Sequence, residues 1–411
     1  MDYRVLRSAI CHRLVLRRIR HRPAGQKIKV VFYAFDAAKW KCQALYDFMA
    51  SSDDFDPVVA IGQSPYNVVS KAADTSEAAL CALEDFFKKC GCRTERVARD
   101  FPIEFVDLKT LNPDVVFLQQ PWSLPDKYEP WNISRYALPV YVPYYVQVRL
   151  VPDLDCAMPF HRCLYAYFVL SKDWQQAMTK AMEGNKKTTR YIPCGHPALD
   201  CYSRCATSFA KEKIIYAPHF SFSHPNNKAL MPYGTFEWNG REILEYAKAH
   251  PQFKWVFKPH PSLKDKCIDS GFMTRQEVER YYDEWREIGQ VSLDGGYDKL
   301  FREARAMITD SSSFLAEFGA TGSPLIYLVS QGMSNEVRIN CSSYVDAYYQ
   351  VHNIQEMKDA FELVIEKSAD PLRERRSAAL RDSGLLGNSA SGNIVEFLRL
   401  LCKRVKEGSK K

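Results

Sequence analysis

From Lys27 onward the chain is written in short apolar runs separated by amphipathic stretches, and that rhythm restricts the fold more than any other feature. Ile28-Lys29-Val30-Val31-Phe32-Tyr33, Val58-Val59-Ala60-Ile61, Val115-Val116-Phe117-Leu118 and Val140-Tyr141-Val142 read as strands. Strict apolar–polar alternation would mark a strand with one wet face. Continuous apolar runs mark strands covered on both faces, as in a parallel sheet flanked by helices. Between the first two runs, Trp40 to Met49 reads as a helix with Trp40, Ala44, Leu45 and Phe48 on one side. The succession then restarts with strand Lys213–Ala217, helix Glu242–Ala249, and strands Phe253–Phe257, Ala306–Thr309 and Pro324–Leu328, closed by helices over Ala378–Leu386 and Ile394–Leu401. At 411 residues the chain also exceeds what one hydrophobic core usually serves. The expectation is an α/β protein with two doubly wound, Rossmann-like domains facing a cleft, over residues 27–206 and 207–375. A basic arm over 1–26 precedes them and a helical tail over 376–411 follows.

Residues 1–22 carry Arg4, Arg7, Arg13, Arg17, Arg18, Arg20 and Arg22, interleaved with Val5, Ile10, Leu14, Leu16 and Ile19 at loosely helical spacing. The apolar residues are not gathered into the single core of a signal peptide. Two readings stay open: a frayed, solvated arm, or a basic amphipathic helix lying on an anionic membrane surface. No run of about 18 apolar residues occurs, so no membrane-spanning helix is expected. The net charge of +7 is modest for this length and gives no ground for a nucleic-acid partner, which wants a concentrated basic face. The 13 cysteines include no Cys-x-x-Cys, a composition suited to thiols in a reducing cytoplasm rather than to zinc or a disulfide framework. A cytoplasmic location is expected, peripheral at the inner face of the membrane if the arm is amphipathic. Asp153-Leu154-Asp155 sits in a Pro-flanked loop and reads as solvated, so no metal site is expected.

Open parallel sheets bind ligands beyond the carboxyl ends of their strands, and the unusual residues fall there. Thr309-Asp310-Ser311-Ser312-Ser313 lies between a strand and a helix, offering backbone amides and three hydroxyls to a phosphate. An ordinary helix cap would need fewer of them. Lys258-Pro259-His260-Pro261 also follows a strand. Its two prolines fix the backbone around His260, Lys258 supplies a permanent charge, and His260 can donate to a phosphate or act as an acid. The alternative is a rigid turn with a structural histidine. His219 and His224 follow the strand ending Tyr216-Ala217-Pro218; as loop histidines they read as solvated and rank second. Gly195-His196-Pro197-Ala198-Leu199-Asp200 reads as a hinge or linker turn.

Taken as a set, Gly195-His196-Pro197…Asp200, Ile214–Pro218, Lys258–Pro261 and Thr309–Ser313…Glu317-Phe318…Pro324–Tyr327 resemble the CDP-glycerol glycerophosphotransferase family of teichoic-acid and capsule polymer enzymes. The likeness spans about residues 190–400 in order and spacing. It implies the GT-B arrangement, with a nucleotide donor held by the C-terminal domain. It places His260 beside the donor phosphates and Ser311, Ser312 and Ser313 in their cradle, with Lys258 and Thr309 adjoining; Asp310 is a further candidate. The segment Tyr233–Gly240 is similar to one in relatives outside the teichoic branch, where Glu237 would be a cleft carboxylate; an exposed helix-start glutamate is the plainer reading. The family's His-Gly motif, whose histidine activates the acceptor, is replaced here by Val140–Tyr145, and His161 in Pro159-Phe160-His161-Arg162 is the nearest substitute. His161 reads equally as a packing residue.

The resemblance therefore implies a transferase moving a glycerol-phosphate-like, polyol-phosphate or sugar group from a nucleotide-diphosphate donor, CDP-linked, to a surface-glycan, polymer or lipid-linked acceptor. The donor is a substrate, and no cofactor is expected. Two other readings stand beside it. One is a UDP-sugar glycosyltransferase or UDP-sugar 2-epimerase on the same fold, the other a non-enzymatic scaffold at a membrane surface.

Overall fold

The computed structural model describes residues 2–23, 25–63, 77–99, 104–146, 148, 150–202, 211–222, 234–293, 296–330, 342–385 and 389–402. Thr207, the expected domain boundary, and His224 lie outside them. The chain divides into two compact units: residues 1–146, 150–200 and 388–411 form the first, and 147–149 with 201–387 the second.

The first unit is built on seven parallel strands: β1 (Ile28–Ala34), β2 (Phe55–Ile61), β3 (Thr94–Arg96), β4 (Val115–Leu118), β5 (Leu138–Tyr141), β6 (Ala166–Val169) and β7 (Arg190–Pro193). Their order across the sheet is β3-β2-β1-β4-β5-β6-β7. Every residue of β4, β5 and β6 is buried, as continuous apolar runs require of central strands. Pro57 is tolerated in β2 because pairing with β3 begins only at Val59, leaving the first half of β2 with a free edge. The strand expected at Val58 thus starts earlier, at Phe55, and the helix expected from Trp40 starts at Gln43 (α2, Gln43–Ala50), after a 3-10 turn.

The stretch with two open readings at the N-terminus is a helix, α1 (Tyr3–Arg20), with Asp2 accepting a hydrogen bond from the Arg4 amide as its cap. It is not a loose arm. Val5, Ser8, His12, Val15, Leu16 and Ile19 are buried against the first unit. His12 Nε2 meets Ser134 Oγ at 2.9 Å, Arg7 donates to the Trp131 carbonyl at 3.1 Å, and Arg22 just beyond the helix pairs with Asp114 at 2.5 Å.

The second unit repeats the design with six parallel strands: β8 (Lys213–Ala217), β9 (Lys254–Phe257), β10 (Gln290–Val291), β11 (Ala304–Thr309), β12 (Leu325–Leu328) and β13 (Tyr349–Val351), in the order β10-β9-β8-β11-β12-β13. Both sheets therefore have the Rossmann order, in which the first strand lies beside the fourth. Aromatic packing fills one face: Phe257 stacks on Trp285 at 5.0 Å and Trp255 on Phe361 at 5.4 Å. Two helices of this unit bear on the site, α3 (Phe236–Ala249) and α4 (Ser312–Glu317).

The last described helix, α5 (Ala390–Cys402), belongs to the first unit and packs on α2 and α1. Ile394, Val395 and Leu398 are fully buried there, each worth about 1.5–3 kcal/mol. The Gly195–Asp200 motif explains its docking. Asp200 accepts from the Ala390 and Ser391 amides at 2.8 and 2.9 Å, capping α5, and Asn393 donates to the Cys194 carbonyl at 3.0 Å. His196 donates through Nε2 to the Pro143 carbonyl at 2.8 Å and accepts the Ala198 amide on Nδ1, so its ring is a buried hook. The motif expected to be a hinge is a clasp within one unit. Among the described residues no helix is long and apolar enough to cross a membrane, and no cysteine forms a disulfide.

Candidate functional site

In the second sheet the strand order reverses between β8 and β11, and a crevice opens at the carboxyl ends of such a pair. Asp310, the first residue past β11, is 1% exposed and ties that point together. One carboxylate oxygen accepts from the His219 amide at 2.6 Å; the other accepts from the Thr235 amide at 2.7 Å and the Thr235 hydroxyl at 2.8 Å. Burial pushes its pKa up to about 6, against the lowering effect of those donors. The network continues inward. Asn239 on α3 donates to the Thr235 carbonyl and hydroxyl at 2.6 and 2.7 Å, and accepts from the Tyr216 hydroxyl of β8 at 2.6 Å. Gly234 completes it, its amide donating to Ser221 Oγ at 2.8 Å; a Cβ there would sit 1.5 Å from the Ser221 carbonyl oxygen, so no side chain fits.

This frame aims two histidines. His219, read from sequence as a solvated loop residue, is buried, because Asp310 draws its backbone down onto the sheet. Its Nδ1 accepts from the Ser221 amide at 3.2 Å and lies 2.9 Å from Ser221 Oγ. The Lys258–Pro261 turn prolongs the β8–β9 ladder: the Lys258 amide donates to the Tyr216 carbonyl at 2.8 Å and the His260 amide to the Pro218 carbonyl at 3.0 Å. The prolines take the alternate positions, whose amides would face away from β8. His260 Nδ1 accepts the Ser262 amide at 3.1 Å, and its ring lies 5.5 Å from that of His219 and 4.4 Å from Phe220. A neutral imidazole that accepts on Nδ1 carries its proton on Nε2. Burial, with Lys258 as a second cause, lowers the His260 pKa to about 4; burial, then His260, lowers that of His219 to about 3. The pair is thus neutral at physiological pH and carries two Nε2–H donors.

Lys258 is 5% exposed, with Nζ 4.7 Å from the Tyr297 ring centre; the Tyr297 hydroxyl donates to Glu317 at the end of α4 at 2.5 Å. The serines divide their roles. Ser311 is buried at the start of α4, its amide donating to Thr309 Oγ1 at 3.0 Å and its hydroxyl 3.4 Å from that of Ser313. Ser312 and Ser313 are half-exposed. Thr309 Oγ1 also donates to the Ala217 carbonyl at 2.6 Å, so its hydroxyl joins β11 to β8. Glu237 is exposed in the first turn of α3. The structure therefore brings together Lys258, His260, His219, Asp310 and Ser311–Ser313, and leaves Glu237 on the surface. Sequence reasoning missed Thr235 and Asn239, although their spacing of four on one helix face was visible within the Tyr233–Gly240 segment.

The first unit has its own switch point, between β1 and β4. A crevice there is lined by Tyr33, Phe35, Asp36, Lys39, Gln119 and Gln120, with Ala34 and Leu124. Asp36 accepts from the Ala38 amide at 2.9 Å and pairs with Lys39 at 3.4 Å. Gln120 is 2% exposed and donates to the Trp122 carbonyl at 2.7 Å, while its buried Oε1 has no partner among the described residues. His161 is elsewhere. It is 1% exposed, stacked on Tyr167 at 5.7 Å between Tyr141 and Phe160, and burial lowers its pKa to about 3. That is the packing placement of the two its sequence allowed. His161→Ala is expected to lower stability by about 2–4 kcal/mol, as loss of a buried ring does. Chemical unfolding checks this, and a stability within 0.5 kcal/mol of the parent, roughly the range of surface substitutions, would oppose it. Asp155, expected to be solvated, is also buried, accepting from the Tyr145 hydroxyl at 2.9 Å and the Val151 amide at 2.6 Å. Among the described residues no group of three or more His, Cys, Asp or Glu side chains could hold a metal ion.

No family model and no curated protein matches the chain. Solved structures do. A putative UDP-N-acetylglucosamine 2-epimerase from Listeria monocytogenes superimposes with a TM-score of 0.56 at 14% identity, over 91% of this chain and 96% of its own. UDP-GlcNAc 2-epimerase from Neisseria meningitidis, bound to UDP-GlcNAc, gives 0.56 at 12% identity, over 91% and 100%. A variant of the wall teichoic acid polymerase TagF gives 0.56 at 12% identity, over 97% and 98%. At such identities the likeness establishes the architecture: an α/β chain of two parallel-sheet, Rossmann-like domains of the GT-B fold.

Proposed function

We propose that the protein is a transferase that holds a nucleotide-diphosphate donor at the β8–β11 switch point of its second unit and passes a polyol-phosphate or sugar group to a hydroxyl acceptor. One observation carries the reading: Lys258, His260, His219 and Ser311–Ser313 stand at the carboxyl ends of three adjacent strands, with both imidazoles neutral. One fixed positive charge, two ring N–H donors and a group of hydroxyls suit a pyrophosphate. In the polyol-phosphate case the acceptor oxygen forms a bond to the phosphorus bearing the polyol, and the pyrophosphate bridge breaks. The nucleoside monophosphate leaves, and the acceptor proton passes to a base. Negative charge grows on the leaving phosphate, so donors fixed around it supply the main catalytic effect.

The acceptor is assigned to the crevice of the first unit, where the unpartnered Gln120 Oε1 can accept from a polyol hydroxyl and Asp36 is the carboxylate at hand. Buried His161 is given no part in the step. The donor is taken as CDP-linked from the motif set, and the acceptor as a glycan or lipid-linked polymer end. A second reading, a UDP-sugar enzyme, is favoured by the likeness to UDP-GlcNAc 2-epimerases.

Thermal unfolding with CDP-glycerol, CDP-ribitol, UDP-GlcNAc and UDP separates them. At about a hundred times its Kd a ligand stabilises by about 2.7 kcal/mol, and the CDP-linked donors are expected to raise the melting temperature while UDP compounds do not. A response to UDP compounds alone would replace the CDP reading with the UDP one. No response to any nucleotide would sink both.

A further inference from the structure

The buried face of α1 fixes the helix to the first unit, and that leaves its other face in one orientation. On it Tyr3, Leu6, Ile10 and Leu14 are 66%, 53%, 53% and 61% exposed. Spaced by three or four residues, they form one stripe along three turns of helix. A lone exposed leucine is ordinary; four large apolar side chains in a row on one helix are not. Arg13 and Arg17 continue the same face, both exposed, and neither makes a side-chain hydrogen bond or ion pair among the described residues. The other arginines of the region are committed elsewhere: Arg4 to Asp2, Arg7 to Trp131 and Asn132, Arg18 and Arg22 to Asp114, and Arg20 to the Leu401 carbonyl. No acidic residue occurs between Tyr3 and Arg20.

We propose that this face is a membrane-docking surface, in which Tyr3, Leu6, Ile10 and Leu14 enter the acyl boundary of a bilayer and Arg13 and Arg17 pair with anionic headgroups. An interfacial helix needs an apolar stripe, basic residues beside it and no competing acids, and α1 supplies all three. The free arginines choose the occupant. Against a second copy of this chain they would meet like charge, which disfavours self-association; against an anionic lipid surface they meet their counterions. Because α1 is anchored, docking would set the orientation of the first unit and its crevice on the membrane. The inference does not depend on the donor reading, since it is tested by lipid binding alone.

The test is flotation of the full chain with phosphatidylcholine vesicles, with and without phosphatidylglycerol. Binding is expected only to the mixed vesicles. Arg13→Ala with Arg17→Ala should weaken it about 25-fold, at about five-fold per basic residue, and Leu6→Ser with Ile10→Ser and Leu14→Ser should reduce it to background. All five positions are exposed, so melting temperatures should stay near that of the parent. Equal binding by either variant, or equal binding to both vesicle types, overturns the proposal. So does a dimer in solution that the triple variant abolishes, which would make the stripe an interface between copies.

Discussion

Asp310→Ala is expected to destabilise the second unit by about 3–5 kcal/mol and, with it, to abolish the proposed nucleotide binding. The carboxylate satisfies three buried donors from two loops, the His219 amide and the amide and hydroxyl of Thr235. Truncation strands all three, at about 1–3 kcal/mol for each buried group left unsatisfied. Part of that loss is recovered, because an expensive buried charge disappears too. The raised pKa fixes the sign of this second effect. A carboxyl titrating at about 6 in the folded protein and 3.8 in the unfolded one contributes stability that is fully present below pH 3.8 and lost as pH rises through 6. At neutral pH the ionised form is therefore held at a cost, which its donors offset. Asp310→Asn should fall between parent and alanine, since an amide keeps one acceptor but turns an N–H toward Thr235. Urea unfolding gives the stabilities, and hydrogen exchange at the His219 and Thr235 amides gives the local effect. Parent-like protection of both amides in the alanine variant would show that Asp310 does not pin the two loops.

That network also marks how far the sequence could be read. Strands β1, β2, β4, β5, β8, β9, β11 and β12 were legible because a strand buried on both faces must be a continuous apolar run. Five others were not. β3 (Thr94–Arg96) is polar, β7 contains Pro193, β10 is two residues long and β13 three, and each lies at the edge of its sheet where burial imposes little pattern. The fifth, β6 (Ala166–Val169), is fully buried but only four residues long, within an aromatic stretch with no flanking turn signal. The two turns proposed to hold the donor phosphates could be placed because strand ends are where an open sheet exposes backbone and loops. What joins them could not. Asp310 meets Thr235 across 75 residues and His219 across 91, contacts that no local pattern encodes. His219 and His161 teach the same lesson. Burial decides whether an imidazole is a solvated base, a neutral donor or a packing ring, and burial belongs to the tertiary structure.

His260→Ala is expected to leave the melting temperature nearly unchanged and to lower kcat about 10²–10³-fold, the usual consequence of removing one preorganised donor from a developing oxyanion. The first half follows from position. The ring is half-buried in a turn that backbone hydrogen bonds and two prolines hold without it. The second half follows from tautomer and charge. With Nδ1 accepting from Ser262 and the pKa near 4, His260 would meet the proposed donor as a neutral N–H and not as an imidazolium. A depressed pKa means that the stability contributed above the unfolded value of 6.5 is lost as pH falls through about 4, so the site should lose its form only in that acid window. Proton NMR of the free protein should therefore show the His260 ring titrating well below pH 6. Adding a nucleoside diphosphate should move that midpoint upward, because a phosphate beside the ring favours its charged form. His260→Gln separates donation from acid catalysis. A side-chain amide can restore an N–H but cannot release a proton, so recovery of about tenfold over alanine marks hydrogen-bond donation, the electrostatic role. No recovery, together with an alkaline limb of kcat/KM near pH 6.5, would instead assign acid catalysis to His260. The lysine beside it makes that outcome the harder one to reach, since a fixed positive charge at Lys258 opposes a second one on the ring.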